Sequence, residues 1–170
     1  MSARLTTAIK IGRAARAILN KSRAFPEAQF GKFGDVDDTE HVGVEPMLLA
    51  LGMELALKAW FVFDYDDANF MRSHDLVKLF GRLKPDSQKK LDAEFKASVA
   101  PYHPSGLHLG YSIHHILAQH RNAFIDWRYL HEAKESMLFD QEAFAATLEM
   151  ALREFEKRYR IEQVKPFAQN

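Results

Sequence analysis

Apolar residues recur at helical spacing along the first 24 positions, and most of the basic residues lie off that stripe. The stripe consists of Leu5, Ala8, Ile9, Gly12, Ala15, Ile18 and Leu19. This spacing is typical of an amphipathic helix. We therefore predict a helix over residues 3–24, followed by Pro26. Residues 26–45 are rich in Gly and Asp and predict a loop.

A second helix is predicted from Pro46 to Phe63, because this stretch is apolar on nearly all of its sides. Proline suits the first turn of a helix. Glu54 and Lys58 are the only charged residues between Met47 and Phe63, and their spacing, with the Glu first, favours an ion pair. We expect this helix to be the most buried one, and its two charges argue against a membrane span.

The rest of the pattern is also helical. Ser73 suits the N-cap of a short helix that ends near Leu83. Three further helices are predicted, over residues 85–99, 111–135 and 140–161, with a loop at 101–110. No segment alternates apolar and polar residues long enough to form a sheet. The predicted fold class is therefore all-α, with four to five main helices and additional short ones.

The 170 residues fit one domain. We divide them into a basic helix with an acidic loop (1–44) that packs on the same domain, a helical bundle (45–163) and a loose tail (164–170). Residues 1–34 carry seven basic side chains and one acidic, whereas residues 35–67 carry nine acidic and one basic. Two interpretations stay open: solvated surfaces, or pairing of the two segments within the fold or across a dimer.

Several kinds of chemistry are excluded by residue type or spacing. The chain has no cysteine, which rules out disulfides, zinc–thiolate sites and thiol nucleophiles and suits a cytoplasmic location. Its eight histidines provide no pair at the spacing that two metal ligands on one helix face require. The sequence also lacks a phosphate-binding glycine loop, a nucleophile elbow and a dinucleotide fingerprint. We expect no metal and no cofactor.

The predicted helix over 111–135 carries the polar residues with the clearest chemical use. His114, Arg121 and Arg128 recur every seven residues and would form one line, which Glu132 extends. Two arginines in line suit a phosphate or a carboxylate, and the alternative is an internal ion pair between Arg128 and Glu132. His120 falls on an aromatic face, where it is either a packed side chain or a general base.

Three segments resemble the HEPN superfamily (higher eukaryotes and prokaryotes nucleotide-binding domain). They are Gly52–Ala59, which contains Glu54 and Lys58; Ser73–Phe80, which opens with Ser-His-Asp-Leu and so contains His74 and Asp75; and Arg121–Tyr129, followed by Glu132. In that family a Glu…Lys-Ala helix precedes a short helix that opens with His-Asp-Leu. Some bacterial members add a helix that reads Phe-x-x-Trp-Arg-Tyr-x-x-Glu. The resemblance covers about residues 45–160.

The resemblance implies a helical bundle that is usually a homodimer. Many members are metal-independent endoribonucleases of toxin–antitoxin and phage-defence systems, and their signature is Arg, often followed by Asn, with a His shortly after. Arg121 and Asn122 match the start of that signature. Trp127 and Arg128 stand where the His is expected, and neither side chain takes a proton near neutral pH. We therefore expect no robust ribonuclease activity.

Three functions stay open from the sequence. The favoured one is a non-catalytic protein that binds RNA, a nucleotide or a protein partner such as an antitoxin, through His114, Arg121, Asn122, Arg128 and Glu132. The second is a divergent ribonuclease that pairs Arg121 with His120, His114 or a His of a second subunit. The third is a structural helical adaptor. We expect structural roles for Glu54, Lys58, His74, Asp75, Trp127 and Tyr129. The resemblance, supported by the aromatic face of Phe124 and Trp127, also predicts a homodimer with the long helix (111–135) near its two-fold axis.

Overall fold

The computed structural model describes residues 3–23, 43–69, 72–104, 110–132 and 137–164. Within these ranges the chain is helical and forms no strand, so the all-α prediction is confirmed. The helices are α1 (Ala3–Ser22), α2 (Val44–Tyr65), α3 (Leu76–Gly81), α4 (Pro85–Ser98), α5 (Ile113–Gln119), α6 (Ala123–Arg128) and α7 (Gln141–Val164). Short 3-10 turns follow α4 and α6, at Ala100–Tyr102 and Leu130–Glu132.

Helix α2 is central, as its apolar sequence predicts. It packs against α1, α3, α6 and α7. Trp60 is fully buried, and its indole Nε1 donates a hydrogen bond of 3.1 Å to the Ala151 carbonyl of α7. The Glu54–Lys58 ion pair is present, at 2.5 Å, and both side chains are buried. A buried pair of this kind depends on having both partners, since removing one would strand the other charge.

By length and composition α2 could also cross a membrane. Its most apolar window has a mean hydropathy of 1.5, and 61% of that window is buried inside the fold. Burial of this extent is what a core helix of a bundle shows, because the apolar surface is already covered by the chain's own helices. A soluble protein is plausible on this ground, and the cytoplasmic location stays a prediction.

Helix α1 belongs to the same core. Ala8, Ala15 and Leu19 are fully buried against α2 and α7. Gly12 permits the close approach, because a Cβ built there would lie 2.8 Å from the Phe155 ring. The predicted helix over residues 3–24 is therefore confirmed, with its end at Ser22.

A buried carboxylate joins α2, α4 and α7. Asp64 accepts a 3.0 Å hydrogen bond from the Lys84 backbone and a 2.8 Å hydrogen bond from the Ser87 hydroxyl. The Arg158 guanidinium donates to the same carboxylate at 2.6 Å and lies over the ring of Trp60 at 5.2 Å. Because the Asp64 side chain is fully buried, these partners supply the hydrogen bonds that water would otherwise make.

Candidate functional site

The predicted helix over 111–135 is wrong as a single element. The chain leaves the helical path at His120–Asn122, between α5 and α6. Two bonds from outside the segment hold this break. The Leu76 N–H donates to the Arg121 carbonyl at 3.0 Å, and the Asp140 N–H donates to His120 Nε2 at 3.3 Å. The break presents Arg121 to the start of α3.

Asp75, rather than Ser73, is the N-cap of α3. Its carboxylate accepts a hydrogen bond from the Lys78 backbone N–H at 2.9 Å, as capping residues do. Ser73 lies outside the helix, and its hydroxyl accepts a hydrogen bond from the Asp75 N–H. The prediction of Ser73 as the cap is therefore wrong by two positions, because either residue type fits the role in sequence.

The Asp75 carboxylate also holds Arg121. Arg121 Nε donates to Asp75 Oδ1 at 3.2 Å, and the Lys78 ammonium lies 3.7 Å from Asp75 Oδ2. Burial raises the pKa of the Asp75 carboxyl, but the Lys78 hydrogen bond and the charges of Arg121 and Lys78 outweigh it and leave the pKa below its ordinary value. Arg121 is thus anchored through one nitrogen. Its terminal nitrogens have no partner among the described residues.

His74 is held by the buried carboxylate of α2. Glu54 Oε2 lies 2.8 Å from His74 Nδ1, and Glu54 Oε1 accepts from Lys58. A carboxylate only accepts hydrogen bonds, so Nδ1 is the donor, and in the neutral form of the ring Nε2 has the free lone pair. The ring stacks on Phe124 with centroids 4.8 Å apart, and the side chain is 45% exposed. His74 Nε2 has no partner among the described residues.

The segment that contains α3 and its flanking residues is also strongly basic at its surface. Between positions 72 and 84 the charged residues are Arg72, Lys78, Arg82 and Lys84, against the single acid Asp75. All four cations are exposed, as is Arg121. Lys78 and Arg82 are four residues apart and therefore lie on one side of α3. We call Lys78, Arg82, Arg121 and His74 the α3 surface.

The remaining residues of the predicted polar line do not lie on one helix. His114 is exposed on α5, and Asn122 begins α6. The Arg128 guanidinium lies over the Tyr129 ring at 5.4 Å. Glu132 pairs with His131 at 3.5 Å instead of with Arg128. The seven-residue spacing does not place these residues in one line, because the helical path is interrupted between His114 and Arg128.

His120 lies in the interior and is 3% exposed. Burial lowers the pKa of its imidazole from 6.5 to about 4, and the charge of Asp140 opposes this only in part. The ring packs against Phe139 and Phe144, with centroids 4.5 and 5.2 Å away. Its Nε2 is already occupied by the Asp140 N–H. This geometry favours the packed-side-chain interpretation for His120, whereas His74 is exposed and precedes Asp75, the residue that holds Arg121.

Two features of the α3 surface escaped the sequence analysis. The stacking of His74 on Phe124 joins residues 50 positions apart, and no local pattern indicates such a contact. The basic density between 72 and 84 was present in the sequence, and counting charge in short windows would have found it. Within the described ranges, no cluster of three His, Asp or Glu side chains is arranged to hold a metal ion.

No protein-family model, curated protein or solved structure matches the chain. The resemblance to the HEPN superfamily therefore stays a prediction from the sequence motifs.

Proposed function

We propose that this chain is a HEPN-like protein that binds RNA through the α3 surface. The observation that carries the proposal is the convergence of the three motif segments. Glu54 of the first bonds His74 of the second, and Asp75 of the second bonds Arg121 of the third. Residues that carry the resemblance and lie up to 67 positions apart in sequence are therefore linked side chain to side chain, from the buried Glu54 to the exposed Arg121.

The charges at that place suit a polyanion. Lys78 and Arg121 are 64% and 51% exposed at their side chains, and Arg82 is exposed beside them. The only acid of the set, Asp75, is occupied by its cap bond and by Arg121. An anchored guanidinium with free donors can bind a phosphate with little loss of side-chain entropy. Phosphate contacts of this kind provide most of the affinity in sequence-independent RNA binding.

The test compares two triple variants by fluorescence anisotropy with a single-stranded RNA at several salt concentrations. The site variant is Lys78→Gln/Arg82→Gln/Arg121→Gln. The control is Lys10→Gln/Arg13→Gln/Lys21→Gln, which removes three exposed cations of α1 and the same total charge. Each phosphate contact on a single strand contributes about 0.7 to the slope of log K against log salt. We expect the site variant to lose about two units of slope and the control to resemble the wild type.

An equal loss of slope in the two variants would show that RNA binding depends only on the net charge of the protein, and it would contradict a site at α3. Wild-type affinity in the site variant would contradict it as well. Melting curves of both variants confirm that the fold is retained.

A second function is favoured by one observation, the Glu54–His74 pair beside Arg121. A neutral imidazole whose Nδ1–H is held by a carboxylate can accept a proton at Nε2. With RNA on Arg121, that nitrogen takes the proton of a 2′-hydroxyl as its oxygen attacks the adjacent phosphorus; the P–O5′ bond breaks, and the leaving 5′ oxygen takes a proton from water. The products would be a 2′,3′-cyclic phosphate and a 5′-hydroxyl end. This is the divergent ribonuclease with His74, rather than His120, as the base.

The two functions separate in one experiment. Structured and unstructured RNAs are incubated in EDTA with wild type and with the His74→Ala, Arg121→Ala and His120→Ala variants. Binding without cleavage selects the non-catalytic protein. Cleavage that His74→Ala and Arg121→Ala both abolish, and that folded His120→Ala retains, selects the ribonuclease. Cleavage that survives in all variants would belong to a contaminant.

A further inference from the structure

A cavity of about 310 Å³ lies between the end of α4 and the start of α7, apart from the α3 surface. Its volume is at the lower end of the roughly 300–1,000 Å³ that small-molecule sites occupy. Val99, Ala143 and Ala146 form apolar parts of its lining, and Tyr102 stands at its edge with 87% of its surface exposed. A pocket with this lining can cover an aromatic or aliphatic ring and give it a tyrosine face to stack on.

The polar side chains on one wall of the cavity are held in place by hydrogen bonds and a ring contact. His103 Nε2 lies 2.5 Å from Asp140 Oδ2, and Asp140 Oδ1 accepts from the Ala143 N–H as the cap of α7. The His103 ring stacks on Tyr111, with centroids 5.1 Å apart and planes 14° apart. These contacts hold His103, which follows the 3-10 turn after α4, against the cap residue of α7 and the Tyr111 ring, so a ligand would meet a largely formed site.

The charged groups that line the cavity indicate which charge a ligand should carry. Among the described residues that line it, the acids are Asp140 and Glu142, and the only basic group is His103, which Asp140 engages. Glu142 is exposed and has no partner among the described residues. The N-terminus of α7, which would attract an anion, already has these two carboxylates in its first turn. Arg153 lies 3.4 Å from Ser98 at the rim, but its guanidinium is engaged by Glu94 at 2.8 Å.

We propose that this cavity binds a small organic cation, a ring that carries an amine or guanidinium group. The ring lies on Val99, Ala143 and Ala146 beside Tyr102, and the cation pairs with Glu142. A phosphate or carboxylate ligand is disfavoured, because it would face two carboxylates. The site is independent of the α3 surface, so its ligand does not compete with RNA for the same side chains.

The test uses three probes of nearly equal shape: phenethylamine, phenethyl alcohol and 3-phenylpropionate. Each is titrated into the full chain, and binding is followed by shifts of the alanine methyl and histidine ring signals in NMR spectra. We expect the amine to bind most tightly, the alcohol more weakly and the propionate not measurably. The shifts should concentrate on Ala143, Ala146 and His103.

Two variants complete the test. Glu142→Gln is expected to weaken the amine about three- to fivefold, as fits the loss of a partly exposed ion pair, and to leave the alcohol unchanged. Ala146→Leu keeps a good helix former and is expected to abolish binding of all probes by filling the cavity. Binding of the propionate as tight as that of the amine would overturn the proposal. So would amine binding that the folded Ala146→Leu protein retains.

Discussion

The contacts of single side chains decide which histidine of this protein can do chemistry. His120 and His74 both lie next to the Arg121 region, but their surroundings are opposite. His120 is enclosed by Phe139 and Phe144 and uses Nε2 to hold the Asp140 N–H. His74 is held at Nδ1 and is nearly half exposed. The sequence identified both residues, but only the fold distinguishes their environments.

The buried His120 makes stability depend on pH. The pKa of its imidazole is about 4 in the folded protein, against 6.5 for the ordinary group, because burial disfavours the charged form. The unfolded chain therefore binds the proton first as the pH falls. Stability is complete above about pH 6.5 and is lost as the pH falls towards 4, by about 2 kcal/mol at pH 5 for a shift of this size.

The measurement is urea unfolding at pH 7.5 and pH 5, for wild type and for His120→Gln. Glutamine can still accept from the Asp140 N–H through its carbonyl but does not titrate. We expect the wild type to lose about 2 kcal/mol more than the variant on acidification. The comparison cancels the effect of groups that titrate in both proteins. Parallel losses in the two proteins would assign the pH dependence to other residues.

At the scale of elements, local signals predicted the helices that have one environment along their length. The apolar α2 and the amphipathic α1 and α7 follow from periodicity, because burial on one side or on all sides leaves a regular pattern. The break between α5 and α6 does not follow, since Gly and Pro are absent there and bonds from Leu76 and Asp140 hold it. Asn122, a residue type favoured at N-caps, was the one local hint.

The same logic accounts for the candidate site. The Glu54–Lys58 pair was predicted because both residues lie on one helix, four positions apart. The contacts of Glu54 with His74 and of Asp75 with Arg121 span 20 and 46 positions. Such contacts depend on how α2, α3 and α6 pack, and hydrophobic spacing carries no information on that packing.

The close packing of α1 on α7 predicts that alanine at Gly12 in α1 changes stability differently from alanine at Gly81 at the end of α3. In Gly12→Ala the new Cβ would lie 2.8 Å from the Phe155 ring, which is buried and has little room to move. Gly81→Ala, at the end of α3, meets nothing within 4 Å. Alanine gains about 1 kcal/mol over glycine inside a helix, but overpacking a core costs roughly 1–3 kcal/mol.

We therefore expect Gly12→Ala to lower the melting temperature and Gly81→Ala to keep or raise it. Thermal unfolding followed by circular dichroism at 222 nm measures both, since helices provide the signal. A Gly12→Ala protein as stable as the Gly81→Ala protein would mean that α1 does not approach α7 as closely as the Phe155 contact indicates.

At the scale of the whole molecule, the uneven charge of the sequence is partly resolved by ion pairs between distant helices. Arg16 and Arg23 of the basic α1 pair with Glu149 of α7, and Arg16 also lies 3.5 Å from Glu156. Arg4 lies 3.5 Å from Asp66, and Asp66 belongs to the acidic segment 35–67. Positions 35–42 of that segment lie outside the described residues. Lys10, Arg13 and Lys21 stay at the exposed side of α1, which is why they serve as the control for RNA binding.

The side chains in and just after α6 are relevant to the predicted homodimer. The sequence suggested that Phe124 and Trp127 face a second subunit, but Phe124 stacks on His74 and Trp127 packs edge-on against Phe139, with ring centroids 5.9 Å apart. Ile125 of α6 and Tyr129, which directly follows α6, are instead 41% and 43% exposed. Exposed apolar side chains on one short helix are the kind of surface that a symmetric dimer covers. We therefore predict that the two-fold contact involves Ile125 and Tyr129 rather than the aromatic face of Phe124 and Trp127.

Sedimentation velocity at tens of micromolar, where an interface of standard size holds, tests the dimer. We expect a dimer for wild type and a monomer for Ile125→Glu/Tyr129→Glu, because four buried carboxylates in a two-fold contact would have no partners. Tyr102→Glu, at an exposed aromatic side chain on the 3-10 turn after α4, is expected to stay dimeric. A monomeric wild type would contradict the dimer itself. A dimeric Ile125→Glu/Tyr129→Glu protein would place the contact elsewhere than α6.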